Sequence, residues 1–157
     1  MTDHSFFLKR AIQLASTHSA QGAGGPFGAV IVKDNTIIGE GWNQVTSTHD
    51  PTAHAEMVAI RQACLNLNAF HLEGALIYTS CEPCPMCLGA IYWARLDKIY
   101  FALNRKDAAN IGFDDDFIYQ EIALNPSDRS IPAAHLPSAD GALLFESWQE
   151  KLDKVMY

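Results

Sequence analysis

The chain has 157 residues, about one domain at roughly 150 per domain, and its 48% hydrophobic and 18% charged residues exclude a disordered tail or a collagen-like repeat. Eleven Lys and Arg against 18 Asp and Glu leave a formal charge of -7, so a general nucleic-acid binder would have to hold its polyanion against the field of the protein. Apolar runs at 28–32 and 88–94 fall far short of the roughly 18 to 20 residues that span a bilayer, and Asp3 precedes the first short apolar run while Lys9 and Arg10 follow it, the reverse of a secretory leader, so a cytoplasmic location and no membrane partner are expected.

Behind Asp3 and Ser5, either of which can cap a first turn, Phe7, Leu8, Ala11, Ile12 and Ala15 recur at helical spacing and predict an amphipathic opening helix. Gly22, Gly24, Gly25 and Pro26 end it. Two β-branched runs, 28–32 and 36–41, flank Asp34-Asn35 and predict an antiparallel hairpin. A second helix is expected from Asp50-Pro51 to about Asn68, with Ala59, Ile60, Ala63, Cys64 and Leu67 as its buried stripe. Strand 76–79, a helix begun by Pro83 or Pro85 that carries 87–95, and strand 98–102 come next, an order that implies a parallel pair joined by a right-handed crossover. Residues 104–116 read as a polar loop, 117–123 as a short helix and 131–136 as a fifth strand. From 139 to about 154 a helix places Leu143, Leu144, Trp148 and Leu152 on one face. The expectation is an α/β fold in a single domain over 1–157, with a five-stranded mixed sheet and helices on it.

The residues that carry chemistry gather in His54-Ala55-Glu56 and Pro83-Cys84-Pro85-Met86-Cys87, each near the start of a helix. Cys84 and Cys87, three apart, fall on one face of a first helical turn, whose positive end favours thiolates. Two thiolates and an imidazole suit Zn2+. His54 and Glu56, two apart, point about 200° away from each other on a regular helix, so only one of them can face an ion squarely. Three protein ligands leave the fourth tetrahedral position to water, which distinguishes a catalytic zinc from a structural one. Zinc brings the pKa of such a water towards neutrality, and Glu56, a carboxylate that is not a ligand, can carry its protons. A competing reading closes the sphere with Cys81, Cys84, Cys87 and His54 and makes the protein a binding module. It leaves Glu56 without a task, and a chain this apolar should fold without a metal staple. Cys64 reads as core, and His4, His18, His71 and His135 as surface or loop residues.

An H-x-E triplet with P-C-x-x-C is the pattern of zinc nucleobase deaminases. On these segments the chain resembles the cytidine deaminase superfamily and, over nearly its whole length, the small bacterial guanine deaminases. The narrower resemblance rests on Gly24-Gly-Pro-Phe-Gly-Ala-Val-Ile-Val32, Asn43, Asp50-Pro-Thr-Ala-His-Ala-Glu56, Thr79-Ser-Cys-Glu-Pro-Cys-Pro-Met-Cys87, Ile91-Tyr-Trp-Ala-Arg95 and Gly112-Phe-Asp-Asp-Asp-Phe117. The zinc segments are similar in tRNA adenosine deaminases too.

The resemblance implies a three-layer α-β-α fold, one Zn2+ per subunit on His54, Cys84 and Cys87, and hydrolysis of guanine to xanthine and ammonia with Glu56 as proton shuttle. It also implies a second catalytic carboxylate near the amino group, matched by position to Asp115. On the residues alone, Asp114 to Asp116 read instead as an acidic start to the following helix. Guanine presents N–H donors where adenine presents an acceptor nitrogen, so a carboxylate is a sensible discriminator. The implied substrate contacts are Asn43 at the purine edge, Phe27 lining the pocket, His54 stacked on the base, Ala55 beside it, and Tyr157. That last residue belongs to a C-terminal segment expected to close over a neighbouring subunit in a domain-swapped homodimer. Trp93 is either pocket wall or dimer core. Deaminases of tRNA adenosine, or of cytosine and cytidine, share the metal chemistry and are the alternatives. Against tRNA, the segment 139–157 sets Lys151 and Lys154 against Asp140, Glu146, Glu150 and Asp153, where a grip on phosphates needs bases.

Overall fold

A computed structural model describes residues 2–157 and divides the chain in sequence after Phe117 into two units. In chain order the elements are α1 (His4–Ala20), β1 (Gly28–Lys33), β2 (Thr36–Trp42), α2 (Val45–Thr48), α3 (Ala55–Leu67), β3 (Leu76–Cys81), α4 (Pro85–Trp93), β4 (Lys98–Leu103), α5 (Arg105–Asn110), α6 (Asp116–Ala123) and α7 (Ala139–Glu150).

In the first unit Asp3 caps α1 by accepting the Phe6 amide. Asp34 and Asn35 take φ of 50° and 61°, the left-handed pair that a two-residue hairpin turn between β1 and β2 requires. The sheet runs β2-β1-β3-β4, with β1 antiparallel to β2 and β3, and β3 parallel to β4. Strand alternation sorts its two faces. Val30, Val32 and Tyr78 pack on Phe7 and Leu14 of α1, while Ala29, Ile31 and Ile77 pack on Ala55, Ala59 and Ala63 of α3, Ile91 of α4 and Ala94 just after it. This is a three-layer α-β-α arrangement. Close approach of α3 to β2 depends on glycine: a methyl at Gly41 would run into the Ala55 carbonyl oxygen, and one at Gly39 would press on Ala59 and Ala63.

The sheet has four strands where five were expected. Residues 131–136 form no strand; Pro132 cannot donate to a ladder and Ile131 is the one β-branched residue there. The helix expected from Asp50-Pro51 is α3, and it starts only at Ala55, because the Asp50 carboxylate takes the Thr52 amide and hydroxyl at 2.8 and 2.7 Å and closes a turn of its own. Within 104–116, expected to be loop, Asn104 and Asp107 form a reciprocal capping box that starts α5. His4 and His18 are stacked on Tyr100 and Trp42.

In the second unit, Ile118–Tyr157, Arg129 donates to the Glu121, Ile122 and Leu124 carbonyls and so ends α6. No residue of 118–157 is buried, and α7 exposes Leu143, Leu144, Phe145 and Trp148. Among the described residues no helix is long and apolar enough to cross a membrane.

Candidate metal centre and active site

His54 and Cys84 occupy equivalent places: each is the N-cap of its helix, in extended conformation (φ -69°, ψ 156° and φ -67°, ψ 168°), and neither side chain caps the helix it precedes. Both are thereby aimed away from their own helices. Cys87 follows one turn into α4, where Pro85 at the helix start needs no amide partner. His54 Nδ1 lies 3.5 Å from Cys84 Sγ and 3.6 Å from Cys87 Sγ, and the three donor atoms fall within 4.8 Å of one another. The Cys87 thiol donates to Glu56 Oε2 at 3.4 Å. Two helix N-termini thus bring their positive ends to one cluster.

The electrostatics follow from burial and shared protons. The Cys87 thiol, and after it His54, hydrogen-bond to Cys84 and outweigh its burial, holding it down at about 4. In turn Cys84 pushes Cys87 up and pulls His54 up. Burial raises Glu56, which is only 8% exposed. One imidazole nitrogen and two sulfurs, holding protons between them at this spacing, are the donor set that suits Zn2+. Among the described residues the group stops at three: Cys81 donates instead to the Asn104 carbonyl at 3.6 Å, and burial pushes it up to about 11. That argues against a sphere closed by four protein atoms.

The carboxylate of Asp115 lies near enough for its charge to act on His54 and Cys81, and it is itself raised, by burial first and then by Cys84. Asp115 Oδ1 is a buried side-chain oxygen with no hydrogen-bond partner. Asn43 is buried, and its Oδ1 accepts the Gly25 and Val45 amides, each at 3.2 Å. Phe27 is half-buried and meets Phe113 edge-on, with ring centroids 4.9 Å apart. Ala55 is buried in the first turn of α3. Trp93 is exposed on α4, and Tyr157 is exposed in the second unit. Sequence reasoning gave no separate role to Phe113, Glu82 or Arg105. The signal for Phe113 was an aromatic between Gly112 and the aspartates; for an ion pair between residues far apart in the chain there was none.

A family model described as the cytidine and deoxycytidylate deaminase zinc-binding region matches residues 1–103. The guanine deaminase of Bacillus subtilis (strain 168) is 52% identical over 155 residues, covering 99% of each chain. An X-ray structure of guanine deaminase from Bacillus subtilis matches with a TM-score of 0.97 at 51% identity, again over 99% of each chain. A tRNA-specific adenosine deaminase of Aquifex aeolicus (strain VF5) is 45% identical over 102 residues, 64% of this chain and 67% of that one.

Proposed function

The chain belongs to the cytidine and deoxycytidylate deaminase family, and from that premise we infer that it is a zinc-dependent guanine deaminase, converting guanine and water to xanthine and ammonia. One observation carries the choice of base: likeness to a guanine deaminase runs over 99% of both chains, whereas likeness to the Aquifex tRNA-specific enzyme runs over 64% of this one.

His54, Cys84 and Cys87 hold the metal, one Zn2+ per subunit. When bound it supplies Lewis acidity, bringing the pKa of water towards neutrality. Glu56 takes a proton from the attacking water and delivers it to the ring nitrogen beside the amino-bearing carbon. Its burial supports this task, because a carboxyl raised above the usual range takes up a proton more readily than an exposed glutamate. Asp115 accepts from the N–H groups of guanine and passes to the departing amine the remaining proton of the attacking water, which leaves the oxygen as the carbonyl of xanthine forms and ammonia departs; its partnerless buried oxygen supports that role. Asn43 donates to the purine edge, which is supported by the engagement of its Oδ1 with two backbone amides, leaving the NH2 for substrate. Phe27 walls the ring, His54 stacks on it, and Ala55 offers a first-turn amide that has no partner within the helix.

The functional unit is a homodimer of single-domain subunits, in which the C-terminal segment of one closes over the site of the other with Tyr157 as lid. The absence of any buried residue in 118–157 supports this, since its apolar side chains need a partner surface. Thiolate ligands call for a reducing compartment, which supports a cytoplasmic location.

Ammonia release with guanine, adenine, cytosine, cytidine, guanosine and a tRNA anticodon stem tests the reading. Guanine alone should be turned over among the common bases, with the RNA inert. Cytosine as preferred substrate would overturn it.

A further inference from the structure

We propose that Arg105 is a positioning residue for Asp115: its guanidinium bridges Glu82, on the segment that carries Cys84, and Asp116, the neighbour of Asp115, and so fixes the second carboxylate against the metal cluster. The inference rests on the role given above to Asp115. Arg105 donates its own amide to Glu82 Oε2 at 3.0 Å, its Nε lies 3.8 Å from Glu82 Oε1, and its Nη1 lies 3.5 Å from Asp116 Oδ1. Glu82 is itself anchored, its amide bonded to the Leu103 carbonyl at 2.7 Å where β3 and β4 run out.

Asp115 needs such an anchor. Between α5 and α6 the chain turns through Gly112 at φ 93° and is tied back by the Phe113 amide on the Ala108 carbonyl. A buried carboxylate oxygen with no partner is costly to keep in place, and left alone the loop would swing it to water. A planar guanidinium can serve two carboxylates at once, from different edges of its fork, where an ammonium is a point charge. The bridge lies at the surface, with the Arg105 side chain 38% exposed, and exposed ion pairs contribute little to stability. Its loss should therefore be felt locally, in the loop that carries Asp115, with little change in global unfolding.

The test measures kcat and KM for guanine, zinc content and thermal midpoint in Arg105→Ala, Arg105→Lys and Asp116→Asn, each alone and combined with Asp115→Asn. Arg105→Ala should lose about 10- to 100-fold in kcat, with KM raised as well because Asp115 also meets the guanine N–H groups, with zinc content and midpoint close to those of the parent, and Arg105→Lys should restore part of the loss. In the Asp115→Asn background the same change should cost less than about twofold, because what it positions is gone. Equal costs in both backgrounds, a loss tracked by zinc or midpoint, or an unaffected kcat would overturn the proposal. If Arg105→Ala does not fold, Asp116→Asn reads the same bridge with the arginine intact. Should Asp115→Asn leave too little turnover to measure, a lowered kcat at unchanged zinc content and midpoint, together with the partial rescue by lysine, decides. A parent inactive on guanine, or a fully active Asp115→Asn, overturns the underlying assignment and this proposal with it. An active parent with a crippled Asp115→Asn and a normal Arg105→Ala overturns the bridge alone.

Discussion

Glu56 is buried at the start of α3 with the Cys87 thiol on its carboxylate, a position that costs the fold something and that the proposed proton transfer calls for. Glu56→Gln should keep its zinc, measured by metal analysis, and lose turnover by about 10²- to 10⁴-fold; a variant that stays fully active would remove Glu56 from the chemistry. The same burial sets a pH dependence in protein stripped of metal by a chelator. Folding raises the Glu56 pKa, so the native state retains a proton that the unfolded chain gives up above about pH 4.3. This carboxyl's contribution is most favourable below that value and is lost as pH rises through the raised one. Metal-free Glu56→Gln should therefore gain stability relative to metal-free parent as pH goes from about 4 to 8, read by urea denaturation; a difference constant with pH would contradict the burial argument. At this scale the site was legible where chemistry restricts residue type. His54, Cys84 and Cys87 were readable because zinc tolerates few ligands and few spacings, and their donor atoms do come together, while Glu56 stood out as the nearby carboxylate that cannot face the same ion squarely. Asp115 was visible only through family likeness, since an aspartate at a helix start is ordinarily solvated, and Asn43 alone reads as a turn residue. The Glu82, Arg105 and Asp116 bridge was invisible, because nothing in the chain says which of many surface charges meet.

The position of α3 on β2 decides where His54 stands. Gly41 gives that contact its closeness: any Cβ there would strike the Ala55 carbonyl oxygen, one residue from the ligand, and backbone cannot yield as a flexible side chain can. Gly41→Ala should cost roughly 1–3 kcal/mol in stability by overpacking and weaken zinc retention in competition with a chelator, since the helix end carrying His54 must move. Parent-like stability and retention together would show that α3 is not held by this contact. The strands, the hairpin and the helix after Pro85 were read within a residue or two because alternation, β-branching and proline position are local signals. The errors have local causes too. Asp50-Pro51 has the chemistry of a helix start but spends its carboxylate on Thr52, so α3 waits for His54 to serve as N-cap. The capping box of α5 lies in the chain as Asn104 and Asp107, two short polar residues that read equally well as loop in so polar a stretch. Residues 131–136 carry enough apolar character for a strand, but only a partner edge could tell whether they pair.

For the whole molecule, the sequence showed that the chain had enough apolar content for a core, but not that 118–157 would bury none of it. Leu143, Leu144, Phe145, Trp148, Leu152, Val155 and Met156 are all exposed in one subunit, and so many apolar side chains in a terminal segment call for a surface to cover them. On the proposed exchange that surface is the other subunit, which makes each site depend on a tail it does not own. Mixing two defective proteins distinguishes exchange from a tail that serves its own subunit. One is Glu56→Gln, with a dead site and an intact tail; the other lacks residues 155–157, with an intact site and no Tyr157. Each alone should show little turnover of guanine while retaining zinc. Unfolded together and refolded, they should regain activity, because in a mixed dimer the intact site receives the tail of the Glu56→Gln subunit. If each tail instead covers its own site, the mixture stays as inactive as its components, and the exchange is excluded. Should the truncated protein be fully active by itself, Tyr157 is not a lid in either arrangement.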